Sequence, residues 1–383
     1  MKRLLLVGGG HAHAQVLRDW AAAPLPGVEL VLVSPSALAP YSGMVPGWLA
    51  GSYRFEEICI DFAALAAAAG AVFHRDEVAA LDAGRSELQL AGGQRLGYDL
   101  LSLNIGSTLN PPQRPASCRV LSLRPLGELH PAWTALLADD ALLRRRGPLR
   151  ITMVGGGAAG VESVLAVCAR LRGLDPGLVL QPQLLTRADR LLPGMADGAA
   201  RRAQAALERA GVVLRTGTDA DADADADPDA DADADARCDL LLWATGAQSM
   251  PWPRRSGLDC CEQGFVRIAA DLRSTSHPEI FAVGDCAGWS PPLPKAGVFA
   301  VRMGPVLSHN LRAALQGRPG RSYDPQRRYL ALLATADRRA IGAWGALALE
   351  GRWLWRWKDR IDRSFLRRFA PAAAAQGEFS PRR

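Results

Sequence analysis

Two glycine-rich segments carry the clearest chemistry in this chain of 383 residues. The first contains Gly8 and Gly10 after an apolar run, and the second contains Gly155, Gly157 and Gly160 after another apolar run. In such a turn the first glycine permits a tight bend and the second lets the backbone approach a pyrophosphate. The helix that follows presents its N–H groups to the anion. One copy is weak evidence, but two copies predict two bound dinucleotides.

His11 and His13 follow the glycines of the first turn. His13 occupies the position of the third glycine of the motif, whose small size allows the helix to pack closely on the strand. We therefore expect a looser contact between helix and strand here. Either imidazole can hydrogen-bond a phosphate or approach the cofactor, and packing with capping of the helix is the alternative.

The strand that follows each turn ends where a ribose would bind. An acidic residue commonly stands there and accepts a hydrogen bond from a ribose hydroxyl. In this chain Ser34 stands at the end of the first such strand, and its hydroxyl would bind more weakly than a carboxylate. Arg187 follows the second such strand, which favours the 2′-phosphate of NADPH over NADH. An arginine on a surface loop is the alternative.

Two further predicted strands end in small residues. Residues 98–107 form a strand that ends in a turn at Gly106, and residues 238–247 repeat this pattern up to Thr245 and Gly246. The two halves of the chain therefore resemble each other at both ends, which favours two units of the same kind.

Residues 280–283 form another predicted buried strand, which ends in Gly284 and Asp285. The carboxylate of Asp285 can accept hydrogen bonds from the hydroxyls of a flavin's ribityl chain, and the glycine leaves room for the cofactor. Lys295 and Ala296 precede a predicted helix. Its N-terminus and the ammonium group can stabilise negative charge on a reduced flavin.

The elements that must position these residues alternate between apolar strands, glycine turns and helices. They predict an α/β fold with two Rossmann-like dinucleotide-binding domains, each of three layers, the second inserted in the first. The predicted FAD-binding domain comprises residues 1–115 and 265–325, and the predicted NAD(P)H-binding domain comprises residues 116–264. A small C-terminal α+β region is expected at 326–383.

Charge is distributed unevenly along the chain. Nine of the 39 acidic residues lie in an Asp-Ala tract at 219–236, so the rest of the chain has 45 basic against 30 acidic residues. We expect this tract to be a disordered surface insertion without a catalytic role, and we predict no metal site. The basic excess favours an anionic partner, with a solvated basic surface as the alternative.

The seven cysteines show neither metal-ligand spacing nor a Cys-x-x-Cys pair. This usage fits a reducing cytosol, and the longest alanine-rich stretch is too short to span a bilayer. We expect a cytoplasmic protein, with peripheral attachment to the cytoplasmic membrane face as an extension of that prediction.

Aromatic and basic residues are dense at 344–369. This density suits a helix that lies in a membrane interface, with its rings among the headgroups and its cations on anionic lipid. Core packing or a homodimer interface is the alternative. Nucleic acid is not an expected partner, because the sequence shows no fold known for stacking bases.

Four motifs together resemble those of the pyridine nucleotide-disulfide oxidoreductases, which are flavoproteins with two dinucleotide-binding domains. They cover about residues 1–325 in the family's order, and they lie at residues 8–10, 155–162, 243–246 and 281–285. The resemblance implies FAD at the first turn and Asp285. It implies NADH or NADPH at the second turn and Glu162.

Residues 8–13, 40–47 and 294–298 are similar to a subgroup near the type II NADH:quinone oxidoreductases, some of whose members are fused to selenide, water dikinase. This resemblance implies an enzyme that passes hydride from NAD(P)H to FAD and electrons on to an acceptor, most plausibly a quinone. Lys295 and Glu162 are then the candidate catalytic residues.

Two of these candidates have a structural alternative. Tyr41 can lie over the flavin or fill a core. Glu162 can orient the nicotinamide, or it can serve only to complement the dipole of its helix.

Two other functions stay open at this point. The chain lacks the Cys-x4-Cys pair of the family's disulfide reductases, but a redox enzyme of selenium or sulfur metabolism would require Cys118, Cys286 or the adjacent Cys260 and Cys261. A non-catalytic flavin-binding sensor or assembly protein is favoured by His13 and by the missing acidic residues.

Overall fold

The computed structural model describes residues 1–143, 147–218, 238–326 and 328–370. The amino-terminal part alternates short strands and helices. Its elements are β1 (Lys2–Val7), α1 (His11–Ala22), β2 (Val28–Val33), β3 (Leu38–Pro40), α2 (Val45–Leu49), β4 (Cys59–Asp61), α3 (Phe62–Ala68), β5 (Val72–His74), β6 (Val78–Asp82), β7 (Glu87–Leu90), β8 (Arg95–Gly97) and β9 (Leu100–Leu103).

The middle of the chain repeats the alternation. Its elements are β10 (Arg119–Ser122), α4 (Leu126–Leu137), α5 (Asp140–Leu143), β11 (Leu149–Val154), α6 (Ala158–Leu174), β12 (Leu180–Thr186), α7 (Asp197–Arg209), β13 (Val213–Thr216) and β14 (Leu240–Trp243). The carboxyl-terminal part follows with β15 (Val266–Arg267), β16 (Ile280–Ala282), β17 (Ala287–Gly288), α8 (Gly297–Leu315), β18 (Ala331–Ala334), β19 (Ala340–Trp344), β20 (Leu347–Gly351) and α9 (Arg352–Arg367).

Two parallel sheets organise these elements. The strand order is β16-β9-β1-β2-β5 in the first sheet and β10-β14-β11-β12-β13 in the second. β16 follows the whole second sheet in the chain and still pairs with β9 of the first sheet. The chain therefore leaves the first sheet, completes the second and returns. This is the predicted α/β fold of two Rossmann-like units, the second inserted in the first.

Burial explains why these strands form. The central strands are almost continuous apolar runs because helices cover both faces of a parallel sheet. In β1, Leu4, Leu5 and Leu6 have no exposed surface, and β14 is buried along its whole length. The core of the first unit forms around β1, β9 and α8, and the core of the second forms around β11, β14 and α6.

The second core also takes in residues from other parts of the chain. Trp48 and Leu49 of α2 pack in it, although they belong to the amino-terminal part. Ile341 of β19 packs in it as well. The boundaries predicted from the sequence separate stretches of chain, whereas the packing joins α2, β18 and β19 to the second core and places Phe365 of α9 in the first core.

In each unit, a long connection leads from the last strand at one edge of the parallel sheet back to a strand next to the centre. In the first unit, β5 leads to β9 through the antiparallel sheet of β6, β7 and β8. In the second unit, β13 leads to β14 through residues 217–239, which include the Asp-Ala tract. The prediction for 219–236 falls outside the described residues and stays a prediction.

The C-terminal region is α+β, as predicted. β18, β19 and β20 form an antiparallel sheet, and α9 follows and packs on β19. The helix begins at Arg352, so Trp344 lies at the end of a strand and not in the helix. In the described part of the chain, no helix combines the length and apolar character needed to cross a membrane.

Candidate active site at the carboxyl ends of the two sheets

The first glycine turn joins β1 to α1 and lies against the end of β9. Gly8 has a φ of +99°, and a Cβ at this position would overlap the carbonyl oxygen of Asn104. A Cβ on Gly10 would overlap the side-chain amide of the same asparagine. Both glycines are therefore required by the close approach of one neighbouring residue.

Asn104 links three pieces of the first unit. Its Oδ1 accepts a hydrogen bond from the backbone N–H of Ala12 at 3.1 Å, near the start of α1. Its Nδ2 donates to the carbonyl oxygen of Val283 at 3.0 Å, just after β16. The residue is buried. Sequence reasoning missed Asn104, although a polar residue directly after the buried β9 was a usable signal.

His13 supports the turn from beneath. Its Nδ1 lies 2.8 Å from the carbonyl oxygen of Gly8, and its Nε2 lies 2.9 Å from the Oγ of Ser102. The side chain is completely buried, and this burial lowers its pKa to about 4. A hydrogen-bonded ring thus lies between α1 and the strands, and the looser contact between helix and strand stays a prediction.

An aromatic cluster lies beside the same turn. The rings of His11 and Tyr41 meet edge to face with centroids 5.4 Å apart, and Phe365 of α9 lies 4.6 Å from Tyr41. Burial lowers the pKa of His11 to about 4 against the opposing effect of the Asp285 charge. The structure thus brings both predicted residues together and adds Phe365, which sequence reasoning did not assign.

Asp285 follows β16 and forms an ion pair with Arg124, a residue from the segment after β10. Arg124 also hydrogen-bonds the hydroxyl of Ser107 and donates to the carbonyl oxygen of Lys295 at 3.3 Å. It therefore connects the two units directly above the end of the first sheet. The usable signal for Arg124 was a cation two residues after the end of β10.

Lys295 is held inside the protein beside the start of α8. Its Nζ donates to the carbonyl oxygen of Ala287 at 2.6 Å and lies 3.7 Å from the centroid of the Phe265 ring. Burial lowers its pKa. α8 begins at Gly297, and its N-cap residue Ala296 offers no side-chain cap, so this helix end can stabilise an anion. Gly284, with a φ of +70°, completes the turn that precedes Asp285.

The second glycine turn joins β11 to α6. A Cβ on Gly155 would overlap the carbonyl oxygen of Ala244, and a Cβ on Gly160 would overlap that of Gly155. A Cβ on Gly157 would instead meet open space, and the N-cap makes no side-chain bond to α6. The turn therefore packs tightly on the protein side and leaves the helix N-terminus accessible to a pyrophosphate.

The remaining predicted binding residues lie around the two turns. Gly106 and Gly246 both border open space, and Thr245 is half-buried after β14. The hydroxyl of Ser34 donates to the carbonyl oxygen of Ser36 at 3.0 Å. Arg187 is exposed at the carboxyl end of β12. No acidic side chain follows β2 or β12 directly.

Glu162 joins α6 to the C-terminal region. Its Oε1 accepts a hydrogen bond from the backbone N–H of Ala334 at 2.7 Å. Burial raises its pKa to about 7, with Lys358 opposing and Asp362 adding to the shift. Glu162 also borders a cavity of about 10 Å³, which is the size of one water site. Its carboxyl group therefore lies beside a space for one water molecule.

Lys358 and Asp362 bind the helix α9 to the loop before α2. Their Nζ and Oδ2 atoms are 2.7 Å apart, and both residues are less than a tenth exposed, at 7% and 6%. Lys358 also donates to the carbonyl oxygen of Gly43, and Asp362 is hydrogen-bonded to Tyr41. Burial raises the pKa of Asp362 against the effect of Lys358. Neither residue was singled out from the sequence.

The cysteines do not form a relay beside these residues. The thiol of Cys286 is buried and lies 3.2 Å from the carbonyl oxygen of Val283 and 3.4 Å from that of Leu103. Burial raises its pKa to about 11. Cys118 instead packs on the same small apolar cluster as Cys238. The structure therefore does not bring together Cys118 and Cys286, the pair that a sulfur-transfer mechanism would use.

These features fit two dinucleotides. In the second unit the open space at Gly157, next to an uncapped helix end, suits a pyrophosphate. In the first unit the open space at Gly106, the carboxylate of Asp285 and the start of α8 suit a flavin nucleotide. All of these groups lie at the carboxyl ends of parallel strands, where ligands of doubly wound sheets bind.

The family of pyridine nucleotide-disulphide oxidoreductases matches residues 2–305 of this chain. The chain therefore belongs to that family. Membership confirms the predicted class, an FAD-dependent oxidoreductase of NAD(P)H. The narrower likeness to the subgroup fused to selenide, water dikinase rests on sequence motifs alone.

Three proteins illustrate the range of relatives. Demethylphylloquinone reductase NdbB from Synechocystis is 27% identical over 336 residues, which are 83% of this chain and 80% of the relative. The sulfide:quinone oxidoreductase of Aquifex aeolicus has a similar fold, with a TM-score of 0.76, 15% identity and coverage of 96% of this chain and 91% of that chain. NDH2 from Plasmodium falciparum, solved with NADH, has a TM-score of 0.73, 12% identity and coverage of 96% and 97%. At these low identities, the Aquifex and Plasmodium structures support a shared fold and nothing further.

Proposed function

We propose that this chain passes hydride from NAD(P)H to FAD and the electrons on to a quinone. Arg124 carries the proposal, because it extends from the second unit to Asp285 and to the backbone of Lys295 in the first. The two predicted nucleotide sites are thereby held in one arrangement. FAD, when bound, supplies the two-electron step between the nicotinamide and the acceptor.

The protein's own groups then orient the cofactors and control charge. We assign Asp285 to the ribityl hydroxyls, and the N-terminus of α8 with Lys295 to the negative charge of the flavin site. Glu162 is our candidate for a proton-exchanging group, because its pKa of about 7 keeps both protonation states populated at neutral pH.

A quinone fits the aromatic side of the site. Tyr41 and Phe365 present an apolar wall next to His11, and the first is held by Asp362. Apolar walls with few polar groups are typical of sites for flat organic ligands. NdbB and the Aquifex protein are both named for reactions with quinones, which supports the same acceptor class here.

NADPH is the proposed donor. Arg187 stands exposed at the end of β12, where a carboxylate would select the ribose hydroxyl of NADH. If this is correct, Arg187→Ala raises the KM for NADPH several-fold and leaves the KM for NADH unchanged.

We further propose peripheral attachment to a membrane through the outer face of α9, which we define as Trp353, Trp357 and Ile361. These side chains are 55%, 43% and 39% exposed. Arg356 and Arg360 are exposed on the same helix. Exposed rings beside cations suit an interface with anionic headgroups. Binding to vesicles of anionic lipid, lost in a Trp353→Ala, Trp357→Ala double variant, tests this proposal, and dimerisation through the same face would overturn it.

The decisive experiment is an anaerobic titration of the FAD-loaded protein with NADPH and then NADH, followed by flavin absorbance. Rapid bleaching by either nucleotide is expected. If neither bleaches the flavin, the oxidoreductase proposal fails and a flavin-binding sensor is the better description. A soluble ubiquinone or menaquinone analogue is then added, and reoxidation faster than that by oxygen is expected if a quinone is the acceptor.

A further inference from the structure

Two cysteine side chains meet at the amino ends of two strands of the second sheet, the edge opposite the glycine turns. Cys118 immediately precedes β10, and Cys238 lies two residues before β14. These strands are parallel neighbours, with Arg119 opposite Leu240, and the N–H of Arg119 donates to the carbonyl oxygen of Asp239 at 2.9 Å. This register places Cys118 opposite Asp239, so Cys238 lies one residue away on the neighbouring chain segment.

The two side chains share one environment. Both pack on a small apolar cluster that contains Leu109, Leu241 and Trp243, and the two thiols are close enough to shift each other's pKa. Neither cysteine is fully buried. The pair is thus held close together by the sheet and remains accessible to small reagents.

The two thiols differ in acidity. The interaction with Cys118 lowers the pKa of Cys238 despite its burial, with further help from Thr152 and from the charge of Arg114. The same interaction and burial raise the pKa of Cys118. Cys238 is therefore the more acidic thiol of the pair, and the thiolate is the form that reacts with oxidants.

We propose that Cys118 and Cys238 form an oxidisable dithiol, a modification site separate from the flavin site, which a peroxide converts to a disulfide. The inference rests on the pair itself and does not depend on the proposed quinone reaction.

The chemistry balances in two steps. The Cys238 thiolate attacks one oxygen of hydrogen peroxide, so a sulfur–oxygen bond forms, the oxygen–oxygen bond breaks and hydroxide leaves to become water. Cys118 then loses its proton to solvent and attacks the Cys238 sulfur. The sulfur–sulfur bond forms as the sulfur–oxygen bond breaks, and a second water is released. Two thiols are oxidised by two electrons, and one peroxide is reduced to two waters.

The other cysteines provide internal controls. Cys168 and Cys286 are buried, and burial raises the pKa of each thiol, to about 12 and about 11. Burial likewise raises the pKa of Cys260. Oxidation at low peroxide concentration is therefore expected to be selective for the Cys118–Cys238 pair.

The test treats the full-length protein with a few equivalents of hydrogen peroxide and maps its peptides by mass spectrometry without reduction. A Cys118–Cys238 linked peptide is expected, together with a higher Tm that reverts on reduction. The Cys118→Ser variant should instead retain a sulfenic acid on Cys238 that dimedone traps, and Cys238→Ser should leave Cys118 unmodified. Cys260→Ser, at a cysteine that is only partly buried, is the matched control and should behave as the wild type.

Two results would overturn the proposal. One is the absence of the linked peptide in wild-type protein whose melting curve shows that it is folded. The other is equal dimedone labelling of Cys118 and Cys238 in the two serine variants, because the proposed asymmetry predicts labelling of Cys238 alone.

Discussion

The imidazole of His13 stands, in the first unit, at the position where Gly160 lets the helix contact its turn directly in the second. His13 Nδ1 lies 2.8 Å from the carbonyl oxygen of Gly8, five residues earlier, whereas a Cβ on Gly160 would overlap the carbonyl oxygen of Gly155, also five residues earlier. One turn is closed by direct helix contact and the other by a hydrogen-bonded ring. A histidine at this position is therefore compatible with a close glycine turn.

His13→Ala is expected to lower the free energy of unfolding by about 3 kcal/mol, because it leaves a cavity and two buried oxygen atoms without partners. FAD should also dissociate more readily, since the turn loses its support. Urea unfolding and flavin retention on gel filtration measure the two effects. His309→Ala, on α8, should change neither value, and a wild-type stability in His13→Ala would refute the supporting role.

Acid should destabilise the protein through His13 and His11. Their pKa values are about 4 in the folded protein against 6.5 for an unperturbed histidine, so the unfolded chain binds more protons between these values. The stabilisation that these two neutral histidines contribute is fully present above pH 6.5 and is lost as the pH falls toward 4. In a His13→Gln variant the acid-induced loss should be smaller by up to about 1.4 kcal/mol per pH unit in this window. Unfolding curves at pH 4.5, 5.5 and 7 provide the comparison.

Asn104→Ala should weaken FAD binding by at least tenfold. The change removes the acceptor for the Ala12 N–H and the donor to Val283, so the first turn and the end of β16 lose their common partner. Asn104→Asp retains the acceptor and loses the donor, and its carboxylate then faces a carbonyl oxygen. Asn104→Asp should therefore weaken FAD binding as well. Flavin fluorescence titration measures the affinity, and the exposed Asn110→Ala is the control.

Lys358→Met should cost about 3–5 kcal/mol of stability, because it leaves Asp362 buried without its cation. The double variant Lys358→Met, Asp362→Leu should recover most of that loss. By contrast, Arg363→Met breaks the more exposed pair with Asp359 and should cost less than about 1 kcal/mol. Urea unfolding of the four proteins gives a full comparison, and equal losses in the single and double variants would show that the pair is not coupled.

Glu162→Gln should change how stability depends on pH. The folded pKa of about 7 exceeds the ordinary 4.5, so the folded protein binds more protons in this window and its stability falls as the pH rises from 4.5 to 7. The variant should lack this fall, whereas the exposed Glu128→Gln should retain it. Between pH 4.5 and 6.5 the buried histidines make the free energy of unfolding rise with pH, whereas Glu162 makes it fall. The contribution of each group is therefore measured as the difference between its variant and the wild type.

The sequence predicted what depends on local pattern. Apolar runs, glycine spacing and the polar residue at each strand end were enough for the two Rossmann-like units, their nested order and the positions of Gly155, Gly157 and Asp285. These signals are local because a strand, its turn and the next helix are contiguous in the chain.

Residues that act through distant contacts were missed. Asn104 binds Val283, which is 179 residues away, and Arg124 binds Asp285, which is 161 residues away. Lys358 binds Gly43 across 315 residues. No periodicity reports such pairs, since each becomes a pair only when the sheets are assembled.

The inner face of α9 contacts the rest of the protein, and its outer face is exposed. Lys358, Asp362 and Phe365 face Gly43 and Tyr41, so their identities are tied to the loop beside the site. Trp353 and Trp357 stack on each other on the outside, with centroids 6.3 Å apart. Mutations can accumulate on the outer face without disturbing the inner one. Evolution can therefore change the surface of this helix while its contacts with Gly43 and Tyr41 are kept.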